Sequence, residues 1–447
     1  MDAEESTSNA ALEDLKKNVL DVVAPSFCSG TLPLDRSLAS LFFKRGDGSD
    51  PGMIDFADEG LQDGDIQKLV DVCQQATFGR GDQDVLDESY RKAWKLDTSE
   101  FSTQFDIIRS GVMNIIHDQL LHYEKNHMKL EPHLYKLNIY GPGSFFKPHV
   151  DTPRSQDLFA TLVVVLPTVH TGGNLLIGKE GSLLNFDSSK LLFDHRSGSP
   201  QLAFAAFYSD IEHEVLPVES GYRITLTYNL HLAETQVGFT KSISLDPLNT
   251  LVETLCALMV AKDVLPTGGA LGFGLLYKYP VDPRDLDLAQ FTRALKGNDA
   301  LVRMACERIG LKVAVKVFYN WNYDEYIADS TQDERRQSYE ELSLSEILNS
   351  IGGRRIYSPY YTTDEETVSM LWVTPKKRMV PADASFMTYG NEYTMKYVYG
   401  DLVLVAEFPE LKERLEMVST KFPQIVEELK LREASADEDD SGKMPVE

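Results

Sequence analysis

Between Leu134 and Leu230 the chain is a series of short apolar runs cut by turn residues. Leu134 to Tyr140 (LYKLNIY) alternates in polarity and stops at Gly141-Pro142-Gly143. Phe159 to Leu166 (FATLVVVL) is rich in β-branched side chains, and Gly172-Gly173 precedes Asn174 to Ile177. Ala203 to Tyr208 (AFAAFY) and Tyr222 to Leu230 (YRITLTYNL) complete the series. Runs of this kind fit a pleated, half-buried surface and predict strands. Short strands at turn-separated spacing predict a β-sandwich or barrel rather than βαβ units.

The flanks read differently. Residues 31–130 read as mostly helical after a short extended start. One stripe is Ile66, Leu69, Val70 and Cys73; a second is Ile108, Val112, Ile115, Ile116, Leu120 and Tyr123. Such stripes suit a helical layer packed on a sheet. Beyond residue 236 the pattern mixes. Asn249 to Lys262, Ala300 to Ile309 and Leu411 to Leu431 predict helices; Leu271 to Tyr279, Leu311 to Phe318, Ser369 to Val373 and Leu402 to Glu407 predict strands. Residues 1–30 and 431–447 each carry six acids and two bases and read as acidic tails, the first with a short helix through Leu12, Leu15, Val19 and Val22. The expected organisation is therefore a tail to residue 30, a helical region over 31–130 and a β core over 131–235. An α+β domain over 236–430 and a disordered tail follow.

A net charge of −25 over 447 residues excludes several partners. Nucleic-acid backbones are held by clustered Lys and Arg, and anionic membrane surfaces repel acidic chains. Cys28, Cys73, Cys256 and Cys306 lie far apart without a C-x-x-C pair, against a zinc knuckle or a disulfide framework. The acidic start Met1-Asp2-Ala3-Glu4-Glu5 lacks the form of a signal peptide, and the longest apolar run is too short to span a bilayer. The expectation is a soluble protein of the cytoplasm or nucleus.

All nine histidines fall between His117 and His231. Imidazole chemistry therefore belongs to the first half of the chain. His149-Val150-Asp151 places two ligand types two residues apart, on one side of an extended segment. His213 follows, and Arg223 lies ten residues beyond it, inside a predicted strand. Two imidazoles and a carboxylate form the facial triad of non-haem Fe(II) oxygenases, which leaves coordination positions open. A 2-oxo acid chelating such an iron carries a far carboxylate. Arg223 offers a planar fork for it, and Thr225 adds a hydroxyl on the same strand face. Arg223 sits among Tyr222, Ile224, Leu226 and Tyr228, where an inward charge needs an anion.

The segments LYKLNIYGPGSFFKPHVDTPR, LFATLVVVLPTVHTGGNLLIG and FYSDIEHEVLPVESGYRITLTYNL resemble the catalytic domain of the prolyl 4-hydroxylase-like Fe(II)/2-oxoglutarate-dependent dioxygenases, and within that superfamily a fungal branch. The resemblance covers residues 130–232. It implies a double-stranded β-helix (jelly-roll) catalytic core with flanking helices and a second α+β domain, an α+β protein overall. It implies Fe(II) on His149, Asp151 and His213, and 2-oxoglutarate held through Arg223. It places Tyr140 and Thr161 beside the cosubstrate and makes Gly172-Gly173 the family's double-glycine turn. The implied activity is hydroxylation of a C–H bond of a protein side chain or small molecule. Dioxygen is consumed, succinate and CO2 are released, and ascorbate serves as an auxiliary reductant. Prolyl 4-hydroxylases usually carry Lys where this chain has Arg223 and Tyr where it has Phe146. The tryptophans that often flank their last strands are replaced by Phe204 and Phe207. The first change keeps cosubstrate binding; the second argues against assuming a peptidyl proline.

Three other readings compete: oxygenation without 2-oxoglutarate, which Arg223 opposes; a catalytically degenerate double-stranded β-helix that binds a partner, which the complete triad opposes; and nucleic-acid demethylation, which the charge opposes. Gly79-Arg80-Gly81-Asp82 reads as a turn. The glycine-rich run Gly268 to Gly274 leads into a strand and does not read as a phosphate loop. His170 and His195 read as solvent-facing loop residues, and His231 as structural. His117, His122 and His127 recur every five residues and share no helical face. Residues 76–94 read as a surface loop, with a lid as the alternative.

Overall fold

A computed structural model describes residues 2–21, 25–46, 48–80, 83–121, 128–152, 155, 157–178, 183–234, 246–281, 287–321, 324–329, 353–356, 367–376, 389–390, 398–399, 402–425 and 427. Two antiparallel sheets form the first half. The larger has seven strands, in the order Phe27–Pro33, Gln201–Tyr208, Leu158–Val165, Arg223–Glu234, Met128–Tyr140, Trp94–Asp97 and Gln74–Gln75. The smaller has five: Leu184–Phe186, Leu175–Ile177, His213–Val215, Phe145–His149 and Arg91–Lys92. Side chains alternate across a strand, so the larger sheet serves two cores at once. Val165, Ala203, Ala205 and Phe207 point inward and meet Phe146, Leu175, Ile177 and Val215 of the smaller sheet. Leu162, Val164, Phe204, Ala206, Ile224 and Leu226 point the other way, onto the helices Asp63–Val70 and Val112–Leu120. Sheet facing sheet is the jelly-roll arrangement expected for this stretch.

The helical reading of residues 31–130 needs correction. Its two stripes do form helices, but of eight and nine residues only. Val112, Ile116 and Leu120 are buried, whereas Ile108 and Ile115 are exposed, and Tyr123 lies outside the described residues. Most of the remaining elements are short strands. Ser40–Phe43 pairs with Gly52–Asp55 and Phe101–Thr103, while Trp94–Asp97 joins the large sheet beside Met128–Tyr140. These strands have only three or four residues each, and Phe101–Thr103 and Met128–Tyr140 are distant partners, so periodicity within a window does not reveal them. The first thirty residues are likewise no free tail. Asp2–Asp21 is a helix whose Leu15 and Val19 are buried, and Phe27–Pro33 is an edge strand of the large sheet. The stretch 76–94 is more than a surface loop: Phe78–Arg80 pairs with Gln83–Val85, and Arg91–Lys92 edges the smaller sheet, with turn residues 88–90 between them. Residues 431–447 lie outside the described residues, as do Gly81 and Asp82 of the RGD turn.

A second seven-stranded sheet follows, in the order Thr367–Val368, Arg354–Ile356, Asp324–Ala328, Val313–Trp321, Leu402–Phe408, Gly269–Gly274 and Met370–Thr374. The helices Asp246–Val260 and Gly297–Ile309 share a core with one face of this sheet, and Leu15 and Val19 of the first helix join it. The last long helix, Leu411–Lys421, is interrupted at Phe422, just before Pro423, and residues 423–425 and 427 are again helical; 428–431 lie outside the described residues. Proline lacks the N–H and the freedom a helix interior needs.

Buried polar groups bind the two halves together. Lys296 Nζ lies 2.9 Å from Asp210 Oδ1, with both side chains almost wholly buried. Lys278 N–H donates to the other oxygen of Asp210 at 2.8 Å. Tyr208 OH accepts from Gly297 N–H at 3.1 Å and donates to Leu120 O at 2.9 Å. Removing one partner of a buried ion pair leaves the other charge uncompensated, at about 3–5 kcal/mol. Lys296→Met is therefore expected to lower the urea midpoint by that much stability, and Lys296→Met with Asp210→Asn to recover most of it. Equal midpoints for wild type and Lys296→Met would show that Asp210 finds water instead.

Candidate metal centre

The centre is built by strand pairing. His149 ends the strand Phe145–His149 and pairs directly with His213, the first residue of His213–Val215. Phe146 pairs with Val215, and the register shifts between Phe146 and His149. Strict alternation would point residues three apart to opposite faces. The irregularity lets both Phe146 and His149 turn inward while Lys147 and Pro148 stay exposed. Proline, without an N–H, suits such a position. Asp151 lies two residues past the strand end and is buried beside the histidines. Ligand atoms of His149, Asp151 and His213 all lie within 4.8 Å of one another, and His213 Nε2 is 3.8 Å from Asp151 Oδ1.

Backbone carbonyls orient both rings. His149 Nδ1 is 2.8 Å from Lys147 O, and His213 Nδ1 is 3.0 Å from Ile211 O. A carbonyl only accepts, so each Nδ1 carries the proton and each Nε2 keeps a lone pair for a metal. Phe146 stacks on His149 with centroids 3.5 Å apart, and Phe207 lies 4.5 Å from His213. Burial, then the neighbouring His213, holds the His149 pKa well below its ordinary value, so the ring is neutral. Thr161 Oγ1 donates a short hydrogen bond to Asp151 Oδ2, leaving Oδ1 on the His213 side. Thr161 thus orients the Asp151 carboxylate and also lines the cleft that holds Tyr140 and Arg223.

Arg223 opens the strand Arg223–Glu234 directly opposite Tyr140, and Thr225 stands opposite Asn138. All four residues line one cleft with the triad, of about 410 Å³. The cleft also contains Phe146, Val163 and Leu175. Phe146 therefore belongs to the cavity wall. Thr225 Oγ1 lies 3.5 Å from Asn138 O. Arg223 is 1% exposed, its guanidinium carbon is 5.7 Å from the Tyr140 ring centre, and Nη2 has no hydrogen-bond partner among the described residues. Burial lowers its pKa to about 10, which leaves it charged at neutral pH. A buried cation with a spare donor beside a two-histidine, one-carboxylate set is what a chelating diacid and a divalent metal require. Gly173 keeps this space open. At its φ of +70°, a Cβ would come within 3.0 Å of Arg223 Cδ and 2.7 Å of Val218.

Sequence reading missed several residues here. Arg91 is buried on the cleft wall, with Nη1 donating to Thr77 O at 2.7 Å and Nη2 to Asn138 Oδ1 at 2.9 Å. Its guanidinium lies 4.4 Å from the Phe146 ring centre. His170, expected to face solvent, is buried with Ser188 behind Arg223. Its position two residues before Gly172 was the available signal, because a tight turn against another strand buries its neighbours. His195 is exposed as expected. His231 contacts Asp157 at 3.3 Å and the His133 ring. His122 and His127 lie outside the described residues.

Residues 135–231 match the family model of the 2OG-Fe(II) oxygenase superfamily. Over this stretch the chain resembles the 2OG-Fe(II) oxygenases. That superfamily uses Fe(II) and 2-oxoglutarate, in keeping with the His149, Asp151 and His213 cluster. No curated protein matches the sequence. Among solved structures, a Pseudomonas putida prolyl-4-hydroxylase is similar at 17% identity, over 48% of this chain and 98% of its own, with a TM-score of 0.28. A Trichoplax adhaerens prolyl hydroxylase in complex with a hypoxia inducible factor peptide fragment is similar at 16% identity, over 51% and 91%, with a TM-score of 0.27. A viral collagen prolyl hydroxylase from Paramecium Bursaria Chlorella virus-1 is 16% identical over 32% and 79%, with a TM-score of 0.22. Scores this low leave the functional reading of this stretch to its own residues.

Burial pulls the His170 pKa down to about 4. In the unfolded chain it titrates near 6.5, so between these values the unfolded state binds more protons and stability rises with pH. The full contribution is present above pH 6.5 and is lost as pH drops towards 4, on the order of 3 kcal/mol. Thermal unfolding of the metal-free protein across that window is expected to show this slope, and His170→Gln to flatten part of it.

Proposed function

We propose that this protein is an Fe(II)- and 2-oxoglutarate-dependent hydroxylase acting on a C–H bond of a protein side chain or a small molecule. The observation that carries the reading is the unpartnered guanidinium edge of Arg223, buried in the same cleft as the His149, Asp151 and His213 set. His149 and His213 would bind iron through Nε2, and Asp151 through its carboxylate. Bound iron, with 2-oxoglutarate and dioxygen, supplies C–H hydroxylation coupled to release of succinate and CO2, with ascorbate as an auxiliary reductant.

The chain's own residues do the rest. Lys147 O and Ile211 O hold the imidazole protons away from the metal side. Thr161 fixes the rotation of the Asp151 carboxylate. Arg223 receives the distal carboxylate of 2-oxoglutarate, with Tyr140 and Thr225 beside it on the facing strand ends. Phe146, Val163, Leu175 and Val215 make the remaining wall apolar, which excludes water from a reactive centre. The core proposed for this chemistry is 131–235, with the second sheet and its helices as a separate unit bracing it. The degenerate-binder alternative has no observation in its favour, since every group the reaction needs is present. No helix among the described residues is long and apolar enough to cross a membrane. All four cysteines are free, which suits a reducing compartment such as the cytoplasm or nucleus.

Titration of 2-oxoglutarate into anaerobic, Mn(II)-loaded protein is expected to show saturable, metal-dependent binding. Arg223→Ala is expected to weaken it roughly thirtyfold, the worth of a charge-assisted hydrogen bond of about 2 kcal/mol. His149→Ala is expected to abolish Mn(II) binding with the fold intact. A folded wild type that binds Mn(II) but no 2-oxoglutarate would sink the proposal.

A further inference from the structure

His170 and Ser188 form a hydrogen-bond chain whose direction is set at one end. His170 Nδ1 is 2.9 Å from Thr168 O, and the carbonyl can only accept, so Nδ1 carries the ring proton. His170 Nε2 is therefore an acceptor, and Ser188 Oγ, 3.2 Å away, must give it the hydroxyl proton. The lone pairs of Ser188 Oγ then face Arg223 Nε, 3.4 Å away, which donates. Reversal would require a protonated imidazole. Burial, with Arg223 itself nearby, keeps the ring neutral down to about pH 4. Ser188 is fully buried and His170 nearly so, so water does not compete for these bonds. Ser188 opens the short turn that follows the outermost strand of the smaller sheet, while Arg223 belongs to the larger one. The chain thus reaches across the sandwich to hold the guanidinium by one edge.

We propose that Ser188 and His170 are positioning residues that occupy Arg223 Nε and present its unpartnered Nη2 to the distal carboxylate of the cosubstrate, so that this pair sets the preference for 2-oxo diacids over 2-oxo monoacids. The inference rests on the preceding reading of Arg223 as the cosubstrate clamp. An arginine left to rotate must be ordered each time the ligand binds; one already held is preorganised, and affinity rises accordingly. Gly173 serves the same end, because any side chain there would strike Arg223 Cδ.

The test compares two ligands of equal chain length, 2-oxoglutarate and 2-oxopentanoate, the second lacking the distal carboxylate. Each is titrated into full-length, anaerobic, Mn(II)-loaded wild type, Ser188→Ala and His170→Phe. Both variants are expected to weaken 2-oxoglutarate about tenfold while leaving 2-oxopentanoate and Mn(II) affinities unchanged. His170→Gln, whose carboxamide oxygen can accept the serine proton, is expected to keep most of the affinity. Unchanged 2-oxoglutarate binding in Ser188→Ala and His170→Phe would overturn the inference. So would equal weakening of both acids, which marks general damage to the cleft. A wild type that does not distinguish the two acids, with Arg223→Ala equally indifferent, would instead overturn the clamp itself. Retained Mn(II) binding reports that each variant is folded, and either relay variant alone suffices.

Discussion

Register between two pairs of antiparallel strands carries the whole centre. His149 stands opposite His213 in the smaller sheet, and Tyr140 opposite Arg223 in the larger one. A slip of one residue would turn each of these side chains to the other face. What prevents the slip is apolar: Leu137, Ile139, Ile224 and Leu226 alternate with the site residues and are buried in the opposite core. The residues that stabilise the fold and those that do the chemistry are neighbours on the same strands, one set pointing each way. Stability and function are therefore coupled through the pleat.

The cleft treats its two buried arginines differently. Arg91 spends its donors on Thr77 and Asn138 and backs the Phe146 ring, so it stiffens the wall next to His149. Among the described residues Arg223 makes the long Ser188 hydrogen bond, lies beside the Tyr140 ring and keeps a spare nitrogen. A buried donor without a partner costs stability, and proteins retain such groups where a ligand completes them. Burial keeps His149 neutral, and the Nδ1 protons of both neighbouring histidines face carbonyls two residues earlier in the chain. Charge is thus concentrated where an anion would sit and withheld where a metal cation would sit.

The second half of the chain is joined to this centre through the turn after Tyr208. Ile211 N–H donates to Tyr208 O at 3.0 Å, closing the turn, and Ile211 O sets the His213 tautomer. The same turn is gripped by Lys296 through Asp210 and by Gly297 through the Tyr208 hydroxyl. A half without a single histidine still touches the element that aims one.

Local patterning made much of this legible. The alternating and β-branched runs from Leu134 to Leu230 specify strands wherever they are placed. The H-x-D pair, His213 and Arg223 declare their chemistry by residue type and order. What patterning could not show was anything decided by partners far along the chain. The short strands between residues 40 and 103 are only two to four residues long, too short to show a period, and Ser40–Phe43 and Trp94–Asp97 also pair with segments distant in sequence. His170 and Ser188 are ordinary loop residues until the two sheets close over them, and Arg91 is a surface-like charge until it enters the cleft wall. Thr161 lies on the expected strand, but only the packed structure turns its hydroxyl to Asp151. Sequence alone determined which side chains could bind a metal and a carboxylate, since that follows from their functional groups. Tertiary structure decided which groups support them, because burial, tautomer and hydrogen-bond direction exist only once distant strands have met.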